Sequence, residues 1–420
     1  MPTKKLILRK EHFGGLFVDT TSEETLFLKP EEYDSKKQEL LEAKKQGERV
    51  KLFDATKRGF PLLQNAASSP MDIYFELTKS CNSLCTHCFI DSNSSKLSSQ
   101  EVSFSEIKPI IKQFSDVGGF YIRLTGGEPT IRGDFFDIVD LINDEGIVIG
   151  LNTNGLFGEK KLEGILSRGI KDVRVSLDGL KEVNDTIRGE GTYRQITQTL
   201  ENIAEYNKTA NEPTQLTINV VLMKSNMGNI EEMIELAQNY DSKISFGLLR
   251  LTGRAQKEEM LSPEEVVLST YKIHEARRRL GLSQSNVRIN YNILCEDSGK
   301  KEFTPYPFDN SKCPIGSNGI TLDAYARIVP CGYLVNVDND RWIGEDVRGK
   351  DLLDLWYNSQ VLNEVRRITR PGCNDCDYHI VKCNGGCPVM AYVFEGNIDG
   401  KDPYCVRDIK IPKIIKSISK

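Results

Sequence analysis

The sequence predicts an α/β protein, a parallel sheet with helices outside it, followed by a cysteine-rich C-terminal region. Two observations carry this. Between about residues 72 and 250, short apolar runs alternate with amphipathic segments through six β-α repeats. Beyond them, seven of the eleven cysteines stand after residue 312. The composition, 39% hydrophobic and 27% charged over 420 residues, is that of a globular chain with room for two or three domains. Periodicity leaves a doubly wound sheet and a barrel both open. The motifs favour a barrel, because they fall where strands end.

Taken in order, Lys5–Leu8, Gly15–Asp19 and Thr25–Leu28 read as short strands, the last two flanking the polar turn Thr20–Glu24. A charged helix follows over Pro30–Lys45, and residues 56–71 are a linker by composition. The six core strands are expected at Ile73–Leu77, Phe120–Thr125, Val148–Asn152, Val173–Leu177, Leu216–Leu222 and Ile244–Leu249. Ile107, Ile110, Ile111 and Phe114 mark one helix face between them, and Phe135, Ile138, Val139 and Ile142 another. Gln195–Tyr206, Ile230–Tyr240 and Pro263–Leu280 read as three more helices. From Cys313 on, Gly, Pro and Cys dominate, apart from a helix at Leu352–Arg367. Arg277–Arg279 is expected on a solvated helix face, and Ile409–Ile418 as a docking segment.

The net charge of −5 gives no electrostatic reason to expect nucleic acid or an anionic membrane as main partner. No apolar stretch is long enough to span a bilayer, and Met1–Lys5 has no apolar signal core. A cytoplasmic location is therefore expected. Eleven cysteines in a reducing compartment point to metal or cluster ligation rather than disulfides.

The first group, Cys81, Cys85 and Cys88, follows the first core strand at offsets of four and three. Three thiolates so spaced suit three irons of a cubane and leave the fourth iron open. A structural zinc site would need a fourth ligand, and His87 sits between two ligands, where its ring points away from a shared metal. An open iron is useful only if a substrate or cofactor binds there.

This triplet resembles the signature of the radical S-adenosylmethionine (SAM) superfamily, and the later strand ends match as well. Thr125-Gly126-Gly127-Glu128-Pro129 resembles the family's GGE motif, which holds the methionyl amine of SAM. Asn152-Thr153-Asn154-Gly155 closes the third strand and Ser176-Leu177-Asp178-Gly179 the fourth. The resemblance implies that Ser176 and Arg188 contact the SAM ribose and carboxylate, and that His87 meets the adenine through its backbone. Gly126, Gly127, Glu128, Asn152, Asn154 and Asp178 complete the implied cofactor site. The implied fold is a partial (β/α)6 TIM-type barrel over residues 72–255. Around it lie a small N-terminal α+β segment (1–55), the linker (56–71), a bridging region (256–312) and a cluster-binding domain (313–420).

The second cysteine group resembles the SPASM extension of radical SAM enzymes, with Leu352–Ser359, Trp356 included, between its two clusters of cysteines. That resemblance implies three 4Fe–4S clusters, one binding SAM and two auxiliary. Cys295, Cys313, Cys331 and Cys387 would hold one auxiliary cluster, and Cys373, Cys376, Cys383 and Cys405 the other. Two departures stand out: six residues separate Cys376 from Cys383 where the family has five, and Ala326 takes the place of a Gly before Cys331.

The implied activity is reductive cleavage of SAM to a 5′-deoxyadenosyl radical, which abstracts hydrogen from a substrate. The reductant would be of flavodoxin or ferredoxin type, and no catalytic base is assigned. Leu6–Lys45 resembles part of the peptide-recognition module of peptide-modifying members. The leading expectation is therefore a ribosomally made precursor peptide, modified by crosslink, thioether or epimerisation. The alternatives are a small-molecule task such as a haem-pathway oxidative decarboxylation, sulfatase activation, or a non-enzymatic electron carrier or zinc-binding protein.

Overall fold

The computed structural model describes residues 5–22, 24–94, 100–291, 313–338, 340–377 and 383–409. Cys295 and nearly all of the tail from Ile409 lie outside them. The described strands form two sheets. In the first, β1 (Leu6–Glu11), β2 (Gly14–Asp19) and β3 (Glu24–Leu28) run antiparallel. Helix α1 (Pro30–Lys45) then returns the chain so that β4 (Val50–Phe53) pairs in parallel with β1. Pro30 at the start of α1, Glu31 and Glu32 in its first turn and Lys44 and Lys45 in its last all agree with the helix dipole. The helix buries Tyr33 and Leu40 against Leu8 and Phe17. Only glycine fits at position 15, where a Cβ would stand 2.3 Å from the Tyr33 ring. The sequence reading missed β4, since four residues are too few to show a period.

The second sheet places β5 (Asp72–Glu76), β6 (Tyr121–Thr125), β7 (Val148–Thr153), β8 (Asp172–Ser176), β9 (Gln215–Leu222) and β10 (Lys243–Leu248) side by side and parallel. These are the six expected strands, each within one residue at either end. The sheet also extends past both ends of that set. β11 (Val287–Ile289) pairs in parallel with β10, β12 (Gly319–Leu322) in parallel with β5, and β13 (Ile328–Val329) antiparallel with β12. The C-terminal region thus begins as a continuation of the core sheet.

Alternation along the strands sorts two faces. Ile73, Phe75, Ile122, Leu124, Ile149, Leu151, Val173 and Val175 are almost fully buried in one core with the helices. The helices concerned are α2 (Phe104–Asp116), α3 (Phe135–Asp144), α4 (Glu159–Ser167), α5 (Lys181–Arg188), α6 (Thr192–Thr209), α7 (Ile230–Asn239) and α8 (Pro263–Leu280). The opposite face presents Tyr74, Arg123, Asn152, Arg174, Asn219 and Ser245 at alternating positions of neighbouring strands. Sequence periodicity had not singled out α4 and α5. In the C-terminal region the expected helix Leu352–Arg367 is divided into α9 (Leu352–Asn358) and α10 (Gln360–Arg366), because buried Ser359 is extended. One further helix, α11 (Pro388–Glu395), follows Cys387. Among the described residues no helix is long and apolar enough to cross a membrane.

The expected linker needs correction. Ala66, Ala67, Ser68 and Ser69 are buried and join three parts of the molecule. Trp356 Nε1 donates to the Ala67 carbonyl at 2.8 Å and Tyr357 Oη to that of Ser68 at 3.1 Å. Arg9 Nη2 donates to the Ser69 carbonyl at 2.6 Å, and the Ser68 amide donates to Glu11 at 2.7 Å. Small residues look like a linker by composition, yet their size lets the three parts approach closely. Arg9 and Glu11 form an ion pair at 2.9 Å with both side chains essentially inaccessible. Glu11→Ala should therefore strand a buried cation and cost about 3–5 kcal/mol of stability. Thermal unfolding followed by circular dichroism checks this; an unchanged midpoint would mean that Arg9 finds its partners without Glu11.

Candidate functional site

Strand β5 ends beside the Gly126–Glu128 loop and delivers the chain into the first cysteine loop. The amide of Leu77 donates to Thr125, that of Gly127 to the Thr78 carbonyl at 2.7 Å, and that of Glu128 to the Ser80 carbonyl at 2.9 Å. This approach excludes side chains: a Cβ on Gly126 would lie 2.5 Å from the Thr78 oxygen, and one on Gly127 2.0 Å from that of Ser80. Gly126 also has φ +129, in the region that favours glycine.

Each sulfur of the loop has a donor nearby. Asn154 Nδ2 lies 3.8 Å from Cys81 Sγ, Arg188 Nη1 3.7 Å from Cys85 Sγ, and the Ser92 amide 3.4 Å from Cys88 Sγ. Burial pushes the Cys81 thiol up to about 12, so only a positive charge beside it makes the thiolate favourable.

The strand-end residues divide by what they touch. The Glu128 carboxylate is fully buried and accepts from the Thr130 amide and hydroxyl, the Thr153 hydroxyl and the Asn154 amide. Its side chain therefore ties the β6 turn to the end of β7. Asn154 Nδ2 also donates to Asn82 Oδ1 at 2.7 Å, linking the β7 turn to the cysteine loop. Asn152 is drawn elsewhere, its Oδ1 accepting from Arg123 on the polar face of the sheet at 3.0 Å. Asp178 is inaccessible, pairs with Arg188 at 2.6 Å and accepts from the Val221 amide at 2.8 Å. His87 Nε2 lies 3.3 Å from the same carboxylate, while burial lowers the His87 pKa and favours the neutral ring. Ser176, half-buried at the end of β8, shares the face of Arg174. Two buried nitrogens among these residues have no hydrogen-bond partner, His87 Nδ1 and Arg188 Nε.

Sequence reasoning missed the turn after β10. Arg254 Nε donates to the Cys85 carbonyl at 3.0 Å, and Nη1 donates to Asp91 and to the Ser92 carbonyl, both at 2.8 Å. The Arg254 amide donates to the Cys88 carbonyl at 3.0 Å. A Cβ on Gly253 would stand 2.3 Å from that same oxygen. Thr252-Gly253 repeats the Thr125-Gly126 dipeptide at a strand end, a signal that was available in the sequence.

In the C-terminal region Cys313 and Cys387 both act electrostatically on Cys331, whose thiol burial pushes up to about 12. Cys373, Cys376, Cys383 and Cys405 line one cavity of about 410 Å³. Among the described residues, no three Cys, His, Asp or Glu side chains converge closely enough for a single metal ion. Ala326, in the place of the expected glycine, has φ +59 in the turn between β12 and β13. The left-handed backbone is thus kept with an alanine in it.

Residues 75–237 match the family model of the Radical SAM superfamily. They are a radical SAM domain. The mycofactocin maturase of Mycobacterium ulcerans is 27% identical over 366 residues, 84% of this chain and 92% of the relative. The AdoMet-dependent heme synthase of Methanosarcina barkeri is 27% identical over 354 residues, 81% of this chain and 97% of the relative. Streptococcus suis SuiB, solved with its precursor peptide SuiA, superposes with a TM-score of 0.69 at 17% identity, covering 96% of this chain and 99% of its own. The protein is an enzyme with a radical SAM domain, and the family of that domain implies SAM and a 4Fe–4S cluster. The first cysteine loop fits them: its three sulfurs have donors, its glycine turn admits no side chain, and His87 Nδ1 and Arg188 Nε are unpartnered.

Arg254→Ala should free the cysteine loop, because charge-assisted hydrogen bonds to its carbonyls are lost at about 1.5–3 kcal/mol. Amide hydrogen exchange over residues 85–92 should rise about ten- to a hundredfold. Unchanged exchange would mean that the loop holds itself.

Proposed function

We propose that this radical SAM enzyme modifies a ribosomally made precursor peptide, by a crosslink, thioether or epimerisation. The observation that carries the reading is the N-terminal sheet. It is anchored to the core through β1 and β4, by Arg9, by Lys5 Nζ donating to Ser115 Oγ at 2.5 Å, and by Lys51 paired with Asp116 at 3.0 Å. The anchoring leaves β3 as the outer strand, with Glu24, Thr25 and Leu26 exposed. An anchored sheet with an outer strand suits a leader peptide added by β-augmentation. The similarity to a mycofactocin maturase and the fold shared with peptide-bound SuiB support the same reading.

When bound, SAM and the reduced cluster supply a 5′-deoxyadenosyl radical that takes hydrogen from an unactivated carbon. In this reading Cys81, Cys85 and Cys88 hold that cluster, and Arg188 and Ser176 receive SAM, with Asp178 orienting Arg188. His87 offers its backbone to the adenine, and Gly126 and Gly127 offer theirs to the methionyl amine. Glu128 and Asn154 act by positioning, because their side chains are engaged within the protein. Asn152, held by Arg123, serves the polar face of the barrel instead.

Two auxiliary 4Fe–4S clusters complete the reading. Cys313, Cys331 and Cys387, with Cys295, hold one; the four cysteines around the 410 Å³ cavity hold the other. A cubane spreads its ligand sulfurs around a volume, which suits a cavity better than a single point does. A flavodoxin- or ferredoxin-type reductant and a cytoplasmic location, where thiols stay reduced, belong to the same reading. A small-molecule substrate is the second reading, supported by the equally similar heme synthase.

Anaerobically reconstituted protein should hold about twelve irons. Replacing Cys81, Cys85 and Cys88 together by Ala should remove roughly a third of them and all SAM cleavage. Cleavage surviving the triple change would sink the assignment of the first loop.

For the substrate, peptides encoded beside the gene should change mass on incubation with SAM and reductant. Thr25→Pro, on the outer strand, should weaken leader binding at least tenfold in fluorescence anisotropy and leave SAM cleavage without peptide unchanged. Equal leader affinity in both forms would remove the role of β3. If no neighbouring peptide changed mass, the small-molecule reading would take over.

A further inference from the structure

Each cysteine set has beside it an arginine with a buried nitrogen that lacks a hydrogen-bond partner. At the first loop it is Arg188 Nε; beside Cys331 and Cys387 it is Arg250 Nε; beside Cys373 it is Arg370, at Nε and Nη2. Arg188 belongs to the SAM site proposed above. Arg250 has no task in anything described so far.

Arg250 follows β10 by two residues. Its Nη1 donates to the Leu248 carbonyl at 3.2 Å, and its guanidinium lies over the Tyr333 ring, 5.5 Å from the centroid. Tyr333 follows Cys331 by two residues, and its ring meets Phe89 edge-on at 4.9 Å. Phe89 itself follows Cys88. Arg250 therefore stands where the first cysteine loop and the Cys331 site are packed against each other. Its guanidinium keeps its charge despite burial, with the Asp402 carboxylate among the groups that favour the cation.

A cubane held by thiolates is an anion, and reduction adds one more negative charge. A partly buried cation whose buried Nε donor is free stabilises the reduced state more than the oxidised one, and so raises the potential. We propose that Arg250 raises the reduction potential of a cluster bound by Cys313, Cys331 and Cys387. The inference rests on the reading that these cysteines are cluster ligands. A less negative potential makes that site the better electron acceptor of the two joined by the Phe89–Tyr333 contact.

The test uses full-length protein, reconstituted anaerobically, as wild type, Arg250→Gln and Arg250→Lys. Iron is counted first, and each protein is then titrated electrochemically with electron paramagnetic resonance as readout. In Arg250→Gln one midpoint should move to more negative potential, with the reduced-to-oxidised ratio at a fixed potential falling at least tenfold, about 59 mV for one electron. Arg250→Lys keeps the charge and should titrate near wild type. Superimposable midpoints in all three would overturn the proposal, as would equal shifts in both variants, which would point to the guanidinium shape. Loss of about four irons from both variants would make Arg250 a packing residue and overturn it as well. The same loss from Arg250→Gln alone would support it, since the variant that keeps the charge keeps the cluster. If wild-type protein holds only about four irons, the auxiliary-ligand reading fails first, before any variant is compared.

Discussion

The cysteine loop after β5 is irregular backbone, and irregular backbone near a core must find partners for its carbonyls. Residues 249–254 supply them. Arg254 reaches the carbonyls of Cys85 and Ser92, its amide takes that of Cys88, and Gly253 lets the two segments touch. The same stretch receives the C-terminal region, with Tyr404 Oη donating to the Leu249 carbonyl at 2.8 Å and the Leu251 amide directed at Met390 Sδ at 3.4 Å. Tyr404 neighbours Cys405, and Met390 lies in the first turn of the helix that follows Cys387. The positions of distant cysteines are thus referred to one turn of six residues.

The sheet makes this possible through its division of faces. Apolar residues turned to the helices carry the burial energy, so the opposite face is free to be polar. Arg123 there contacts Tyr121, Asn152 and Asp172, and Arg174 joins the same carboxylate. Charges are admitted because they are paired: Asp172 on β8 takes Arg174 from its own strand and Arg123 from β6, across the intervening β7. Glu128 follows the same logic at the mouth. It accepts two donors from its own β6 turn and two from the end of β7, so the two motifs keep their separation as a unit.

What the sequence disclosed follows the same division. Six strands were legible because each is an apolar run ended by a glycine or polar turn. The helices α2 and α3 were legible because their apolar residues recur at helical spacing. β4, α4 and α5 were not, being too short or too polar to show a period. The buried run Ala66–Ser69 was misread because composition reports chain chemistry, whereas its burial depends on Arg9, Trp356 and Tyr357, which are remote in sequence. In the site, the cysteines and the glycine turn announced themselves through spacing. Arg254 and Arg250 did not, since a lone arginine after a strand carries no local signal of what it will face. The side-chain role of Glu128 was hidden for a related reason: a motif names a residue but not which of its atoms meets the ligand.

The attachment of the N-terminal sheet bears on what the enzyme acts upon. Its contacts to the core combine buried apolar residues, Ile7, Leu16, Val18 and Phe53, with charged groups: Arg9 at Ser69, Lys5 at Ser115 and the Glu145 carbonyl, and Arg49 at the Asp144 carbonyl. Arg9 and Glu11 pair within β1, and each also bonds the Ser68–Ser69 backbone, which holds the sheet in one geometry against the core. The sheet is therefore oriented as well as attached. A preoriented outer strand lowers the ordering cost of an extended partner, which matters when the partner is a flexible peptide and the contacts are mainly backbone. A small molecule placed in the barrel gains nothing from such a strand. The charged anchoring on β1 and β4, rather than the strand count of the module, is thus the feature that most favours a peptide.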